Sequence, residues 1–270
     1  MGFPTIQQLF DLTGRVGFIT GGARNLGFDM ALALAEAGAD VCITSRKIED
    51  ALESAERIGR ATERRVLPVQ LDVKSEPEIE AAVAACLAEF GRIDVLINNA
   101  GNVISTPENA PLEKRSRENW QHTIDVNLTG VFLCTKHVVG KYMMEARTGS
   151  IINIGSIAGM IGKDRRVYDG TPMGGVTMDY SAAKGGVINL TRDMACYLAP
   201  YNIRVNCISP GGFWRNQPEA FVKAFSETIP MRRMGEDGKE LKGAAVFFAS
   251  DASSYCTGQN LAIDGGLTAW

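Results

Sequence analysis

Tyr180 and Lys184 stand four residues apart in the run Tyr-Ser-Ala-Ala-Lys, so a helix there would set them one above the other on a single face. An ammonium held beside a phenol stabilises the phenolate and draws its pKa down from about 10 toward neutrality. A phenol tuned in that way gives a proton to a developing alkoxide or takes one from an alcohol. Alone, the pair is as compatible with a surface tyrosine and a solvated lysine. A second constellation lies near the start of the chain, where an apolar run ending at Thr20 enters Gly21-Gly22-Ala23-Arg24-Asn25-Leu26-Gly27. Glycines at a strand-to-helix turn let the backbone approach a pyrophosphate, and the helix N-terminus adds N–H donors and a positive dipole end. Such a turn also merely reverses a chain, but its place after a first strand points to a dinucleotide.

The elements that must position these residues are legible as an alternation. Val16–Thr20, Val41–Thr44, Val66–Leu71, Ile93–Asn98, Ser150–Ile154, Ile203–Ile208 and Asn260–Ile263 read as strands rich in Val and Ile. Between them, Leu26–Ala37, Ile48–Arg60, Pro77–Phe90, Trp120–Glu145, Tyr180–Leu198 and Leu241–Ala249 carry a helical period. Gly38, Gly91 and Gly149 follow helical runs, where a left-handed residue closes a helix. Strict β-α alternation predicts parallel strands joined by right-handed crossovers, with helices on both faces of a doubly wound sheet. Near-continuous apolar strands fit a sheet buried on both sides. No linker or repeat interrupts the pattern, so one domain over residues 1–270 is expected. Two segments break the rhythm, near 158–178 and 210–237, and long irregular stretches in such a domain tend to be functional loops.

Further motifs complete the set: Asn98-Asn99-Ala100-Gly101 after the fourth strand, Asn127 within a helical run, Ser156 just past the fifth strand, and Pro210-Gly211 after the sixth. In this order and over nearly the whole chain, the sequence resembles the short-chain dehydrogenase/reductase family. The resemblance implies a Rossmann-type fold, a nicotinamide cofactor, and Tyr180 as acid/base. Ser156 would hold the substrate oxygen beside Tyr180. Lys184 would also bond the nicotinamide ribose, and Asn127 would hold a water in a proton relay through Lys184. Asp72 would meet the adenine edge with Val73 beside it, and Asn99, Ala100 and Gly101 would pack beneath the cofactor. Where an acidic side chain would bind the adenosine ribose hydroxyls, this chain has Ser45, followed by Arg46 and Lys47. With Arg24 in the glycine turn, two guanidiniums near the ribose favour a 2′-phosphate, so NADP(H) is expected over NAD(H).

Three departures from the family pattern stand out. Asn25 replaces a glycine, and asparagine tolerates left-handed backbone better than other side chains. Arg215 stands where the family usually has a threonine. Ser156 and Tyr180 are about ten residues further apart than usual, and the insertion carries Lys163, Arg165 and Arg166. Among relatives the chain looks nearest to gluconate 5-dehydrogenase-like and other sugar-acid dehydrogenases, with 3-oxoacyl-carrier-protein reductase as the enzyme alternative and a non-catalytic cofactor-binding scaffold as the remote one.

Composition narrows partners. The 28 Lys+Arg against 31 Asp+Glu give a net charge of −3, with no electrostatic reason to expect nucleic acid or an anionic membrane. Six scattered cysteines without paired spacing read as reduced, mostly buried thiols. His122 and His137 lack ligand-spaced partners, so no catalytic metal is expected. The opening MGFPTIQQLFDLTG does not read as a signal peptide, and no run is long and apolar enough to span a bilayer. The reading is a cytoplasmic enzyme on a small carbonyl or alcohol. By resemblance it assembles as a homotetramer or homodimer.

Overall fold

The computed structural model describes residues 2–270. After a short helix α1 (Ile6–Phe10) come β1 (Val16–Ile19), α2 (Asn25–Glu36), β2 (Asp40–Ser45), α3 (Ile48–Thr62), β3 (Val66–Gln70), α4 (Glu76–Phe90) and β4 (Val95–Asn98). A long helix α5 follows over 117–146, and then β5 (Gly149–Ile154), α6 (Met178–Leu198), β6 (Ile203–Pro210), α7 (Glu219–Glu227), α8 (Lys242–Ala249) and β7 (Asn260–Ile263). The seven strands form one sheet in the order β3-β2-β1-β4-β5-β6-β7, every pair parallel. The chain steps outward from β1 to β3 and then returns to place β4 beside β1. Ligands of such sheets bind in the crevice at that reversal, outside the carboxyl ends of the strands.

Neighbouring residues of each central strand enter opposite faces. Ile19, Ile97 and Ile152 pack with Leu34 of α2 and Phe248 of α8 on one side. Phe18, Leu96 and Ile151 pack with Ile79 of α4 and Val138 of α5 on the other. Two buried faces therefore explain the unbroken apolar strands.

α5 is one continuous helix with two π turns, Asp125–Thr129 and Val139–Met143, between its α segments Arg117–Ile124, Gly130–Val138 and Met144–Ala146. Gly38 and Gly91 are left-handed as expected. Gly149 is not: Arg147 takes that conformation, at φ 51°, and Gly149 opens β5 where a Cβ would lie 2.6 Å from Met143 Sδ. Close packing, not a helix stop, is the reason for that glycine.

The 210–237 segment is less irregular than the sequence suggests, because it holds α7. Between a 3₁₀ turn at Ile157–Gly159 and the start of α6 at Met178, the insertion has no strand and one further 3₁₀ turn, over Arg165–Tyr168. The two segments share an apolar cluster of their own, in which Ile157 and Val167 meet Phe221, Phe225, Ile229 and Met234. The rings of Tyr168 and Phe221 stack at 5.2 Å between centroids. No helix among the described residues is long and apolar enough to cross a membrane.

Candidate active site

A cleft of about 770 Å³ runs along the carboxyl ends of the strands. At its centre lies the glycine turn. Gly21 has φ +63° and Asn25 φ +50°, so the asparagine does occupy the left-handed backbone that a glycine would take more cheaply. Gly27 admits no side chain, since a Cβ would meet Gly21 O at 2.2 Å and Asn99 Nδ2 at 2.4 Å. That amide is the brace of the turn: Asn99 Nδ2 donates to Thr20 O and Gly21 O, both at 3.0 Å. Thr20 Oγ1 in turn accepts from the N–H groups of Asn99 and Ala100 at 3.0 Å. The loop after β4 is thus pinned against the loop after β1.

Every residue expected to hold a cofactor lines this one cleft. Ser45, Arg46, Asp72 and Val73 stand where β2 and β3 end. Gly21, Arg24, Asn25, Leu26 and Gly27 form the central turn, with Asn99, Ala100 and Gly101 opposite. Tyr180, Lys184, Pro210 and Gly211 stand toward β5 and β6, together with Ser156. Asn127 is fully buried and lies behind the wall. It sits in the first π turn of α5, where its Nδ2 donates to Asn102 O at 2.5 Å and Thr123 O at 2.9 Å. Its Oδ1 accepts from Asn102 N at 3.3 Å. A Cβ on Gly101 would lie 3.0 Å from Asn127 Oδ1 and 3.7 Å from Lys184 Nζ, so Asn127 and Lys184 flank one glycine.

Tyr180 and Lys184 occupy the first two turns of α6, as their spacing requires, with Lys184 Nζ 5.7 Å from the centre of the Tyr180 ring. The ammonium does not reach for the phenol; it donates to Ile154 O at 2.7 Å. Here the structure corrects the sequence reading. Burial pushes the Tyr180 phenol above its usual range, opposed in part by the Ser156 hydroxyl and the Arg215 guanidinium. Burial also lowers Lys184, to about 8. Both groups are disfavoured in their charged forms by the same dry wall. In the free protein the Tyr180 phenol therefore keeps its proton at neutral pH. α6 comes close to the turn after β5 because Gly159 has no side chain: a Cβ there would lie 2.5 Å from Gly185 N.

Residues 21–268 match the family described as Enoyl-(Acyl carrier protein) reductase. The chain belongs to the short-chain dehydrogenase/reductase family. A 3-oxoacyl-[acyl-carrier-protein] reductase of Synechocystis sp. is 38% identical over 260 residues, 95% of this chain and 98% of that one. A trans-4-hydroxycyclohexanecarboxylate dehydrogenase of Sinomonas cyclohexanicum is 40% identical over 260 residues, 94% of this chain and 93% of that one. Among solved structures, a gluconate 5-dehydrogenase of Burkholderia cenocepacia in complex with NADP and tartrate superposes with a TM-score of 0.87 at 34% identity, covering 98% of this chain and 100% of that one. This chain is an oxidoreductase of that family acting on CH–OH groups, with a fold that binds a nicotinamide cofactor.

Within that family frame, some cleft residues had no sequence signal. Ile154 acts through its backbone carbonyl, and Asn102 and Val103 line the wall only because the loop after β4 bends back. Arg215 does face the cleft, gripped through Nε and Nη2 by Asp237 at 2.7 and 2.9 Å. Of the three bases in the insertion, Arg166 pairs with Asp164 at 2.7 Å and Arg165 donates to Val176 O at 2.9 Å. Lys163 lies 5.8 Å from the centre of the Phe225 ring.

Proposed function

We propose that this short-chain dehydrogenase/reductase interconverts a ketone and a secondary alcohol on a sugar-acid type substrate, using NADP(H). The observation that carries the reading is a single one: Ser156, Tyr180 and Lys184 share one continuous cleft with the glycine turn and with Arg24 and Arg46. The residues present fit a dinucleotide. The glycine turn and the first residues of α2 line the cleft, a helix N-terminus suits a pyrophosphate, and the two arginines suit a 2′-phosphate better than a bare ribose diol. Bound there, the nicotinamide supplies or accepts the hydride.

The chain's own residues then manage the proton. Ser156 holds the substrate oxygen, Tyr180 delivers a proton to it during reduction, and Lys184, hydrogen-bonded to Ile154 O, takes up the ribose side. Asn127 holds the loop that forms the wall. An anionic substrate is supported by the two relatives whose names carry a carboxylate compound, and by Arg215, a base that lines the cleft. NAD(H) remains the alternative cofactor. We place the enzyme in the cytoplasm, as a homotetramer or homodimer.

The Synechocystis relative favours a second reading, reduction of a 3-oxoacyl thioester. The test is the change in nicotinamide absorbance with NADP and NAD across aldonates, polyols, ketoses and 3-oxoacyl thioesters, with Tyr180→Phe as control. Turnover of a sugar acid that the variant loses supports the proposal. Activity confined to acyl thioesters keeps the mechanism and overturns the substrate. Tighter binding of NAD than NADP overturns the role given to Arg24 and Arg46.

A further inference from the structure

The residue before the acid/base tyrosine is a carboxylate with no access to water. Asp179 stands in the first turn of α6, and its side chain is 0% exposed. Its partner is Arg115, 6% exposed, which reaches Asp179 Oδ2 with Nε at 3.1 Å and with Nη2 as well. The same guanidinium donates from Nη1 to Ile104 O at 2.6 Å and from Nη2 to Thr123 Oγ1 at 3.2 Å.

These contacts close a ring. Thr123 O receives Asn127 Nδ2, and Asn127 grips Asn102 through both N–H and C=O. Asn102 and Val103 line the cleft, and the next residue is Ile104, whose carbonyl Arg115 holds. The start of α6, the second turn of α5 and the loop after β4 are thereby joined through one side chain. Burial pushes the Asp179 carboxyl upward, yet the hydrogen bonds led by Arg115 outweigh it and keep the group ionised.

Stability alone does not account for the pair. A buried ion pair is commonly no better than two apolar side chains of the same volume. What a guanidinium adds is direction, because its planar fork addresses several acceptors at once. Neither residue lines the cleft, so neither touches substrate or cofactor. We infer that Arg115 and Asp179 are a positioning pair that sets the substrate wall at 102–104 in register with Tyr180. This rests on Tyr180 serving as the acid/base.

The test uses the full chain with Arg115→Lys, with Asp179→Asn, and with Arg115→Met and Asp179→Leu together. Hydrogen exchange is followed over 102–110 and 178–184, beside NADPH affinity and kcat on a ketone that the wild type reduces. The double variant is expected to melt near the wild type. Its exchange in those two segments should nevertheless rise about tenfold, and kcat should fall at least about tenfold while NADPH affinity stays within about twofold. Arg115→Lys, which keeps the charge and loses the planar fork, should fall between the double variant and the wild type in both readouts. Asp179→Asn, which leaves a buried guanidinium without a counter-charge, should melt below the double variant. Exchange unchanged in both segments, or a double variant with wild-type kcat, would overturn the inference. So would protection lost throughout the sheet in every variant, which would make the pair a plain fold element. If the wild type reduces no ketone, the functional reading fails by itself, and the exchange measurement still decides on the pair.

Discussion

The two ends of the cleft are held by different kinds of matter. Around β1 and β4 the walls are backbone: Gly21, Gly27 and the loop after β4, locked by Asn99 and Thr20 at 3.0 Å. Around β5 and β6 the walls are side chains, among them Ser156, Tyr180, Lys184, Phe213 and Arg215, backed by two segments that pack on each other through Phe221, Phe225, Val167 and Ile157. The first arrangement tolerates almost no added atom, because backbone cannot step aside. The second can vary its lining while the apolar cluster keeps its place. One end is built to hold a constant ligand, the other to be altered for a particular one.

The largest effect is expected where the two ends meet. Tyr180→Phe removes the proton donor and should lower turnover by about 10²–10⁴, while NADPH titration by fluorescence shows affinity unchanged. Comparable loss of both would place Tyr180 in cofactor binding instead. The next comparison sets one substitution in each region. Gly27→Ala puts a methyl 2.2 Å from Gly21 O and should cost about 1–3 kcal/mol in thermal or denaturant melting, with loss of NADPH binding. Gly162→Ala in the insertion meets nothing within 4 Å and should stay within about 0.5 kcal/mol of the parent. Equal costs would erase the distinction between the ends. Smaller still, Arg24→Ala and Arg46→Ala should each weaken NADP about tenfold and leave NAD unchanged, as expected for loss of a charged hydrogen bond.

The rigid end was the readable one. Glycines that forbid a Cβ and an asparagine at φ +50° leave a mark in residue type, and buried strands leave one in apolar runs. All seven strands and the six expected helices lie where alternation puts them. The other end hid its organisation. α7 leaves no clear signal because it lies in a segment bounded by Pro210-Gly211 and rich in breakers, and α1 none because it is five residues long. The π turn that carries Asn127 leaves no sequence period of its own. The protonation of Tyr180 could not be read from the Tyr–Lys spacing, because it depends on how dry the wall is and on where Lys184 points. Ile154 O, the acceptor that draws Lys184 away, belongs to no side chain.

Two lysines sharpen the contrast last and with the least force. Lys163 and Lys184 are both lowered to about 8 by burial, Lys184 in the cleft itself and Lys163 behind it by Phe225. Lys163 lies above Phe225, whose ring packs on Gly212, and beside Asp264, which packs on Gly211 of the cleft. Below about pH 8 it is a cation behind the substrate wall; above it the charge is gone. KM for a carboxylate substrate should therefore rise about two- to threefold as pH passes from about 7 to about 9, a screened effect below about 1 kcal/mol. Lys184 loses its charge over the same range, but it serves every substrate alike. The ratio of KM for an aldonate to KM for a neutral polyol isolates Lys163. Lys163→Arg, whose guanidinium stays protonated, should flatten that ratio across the range. A ratio that climbs equally in the arginine variant would assign the effect elsewhere in the cleft and leave Lys163 with packing alone.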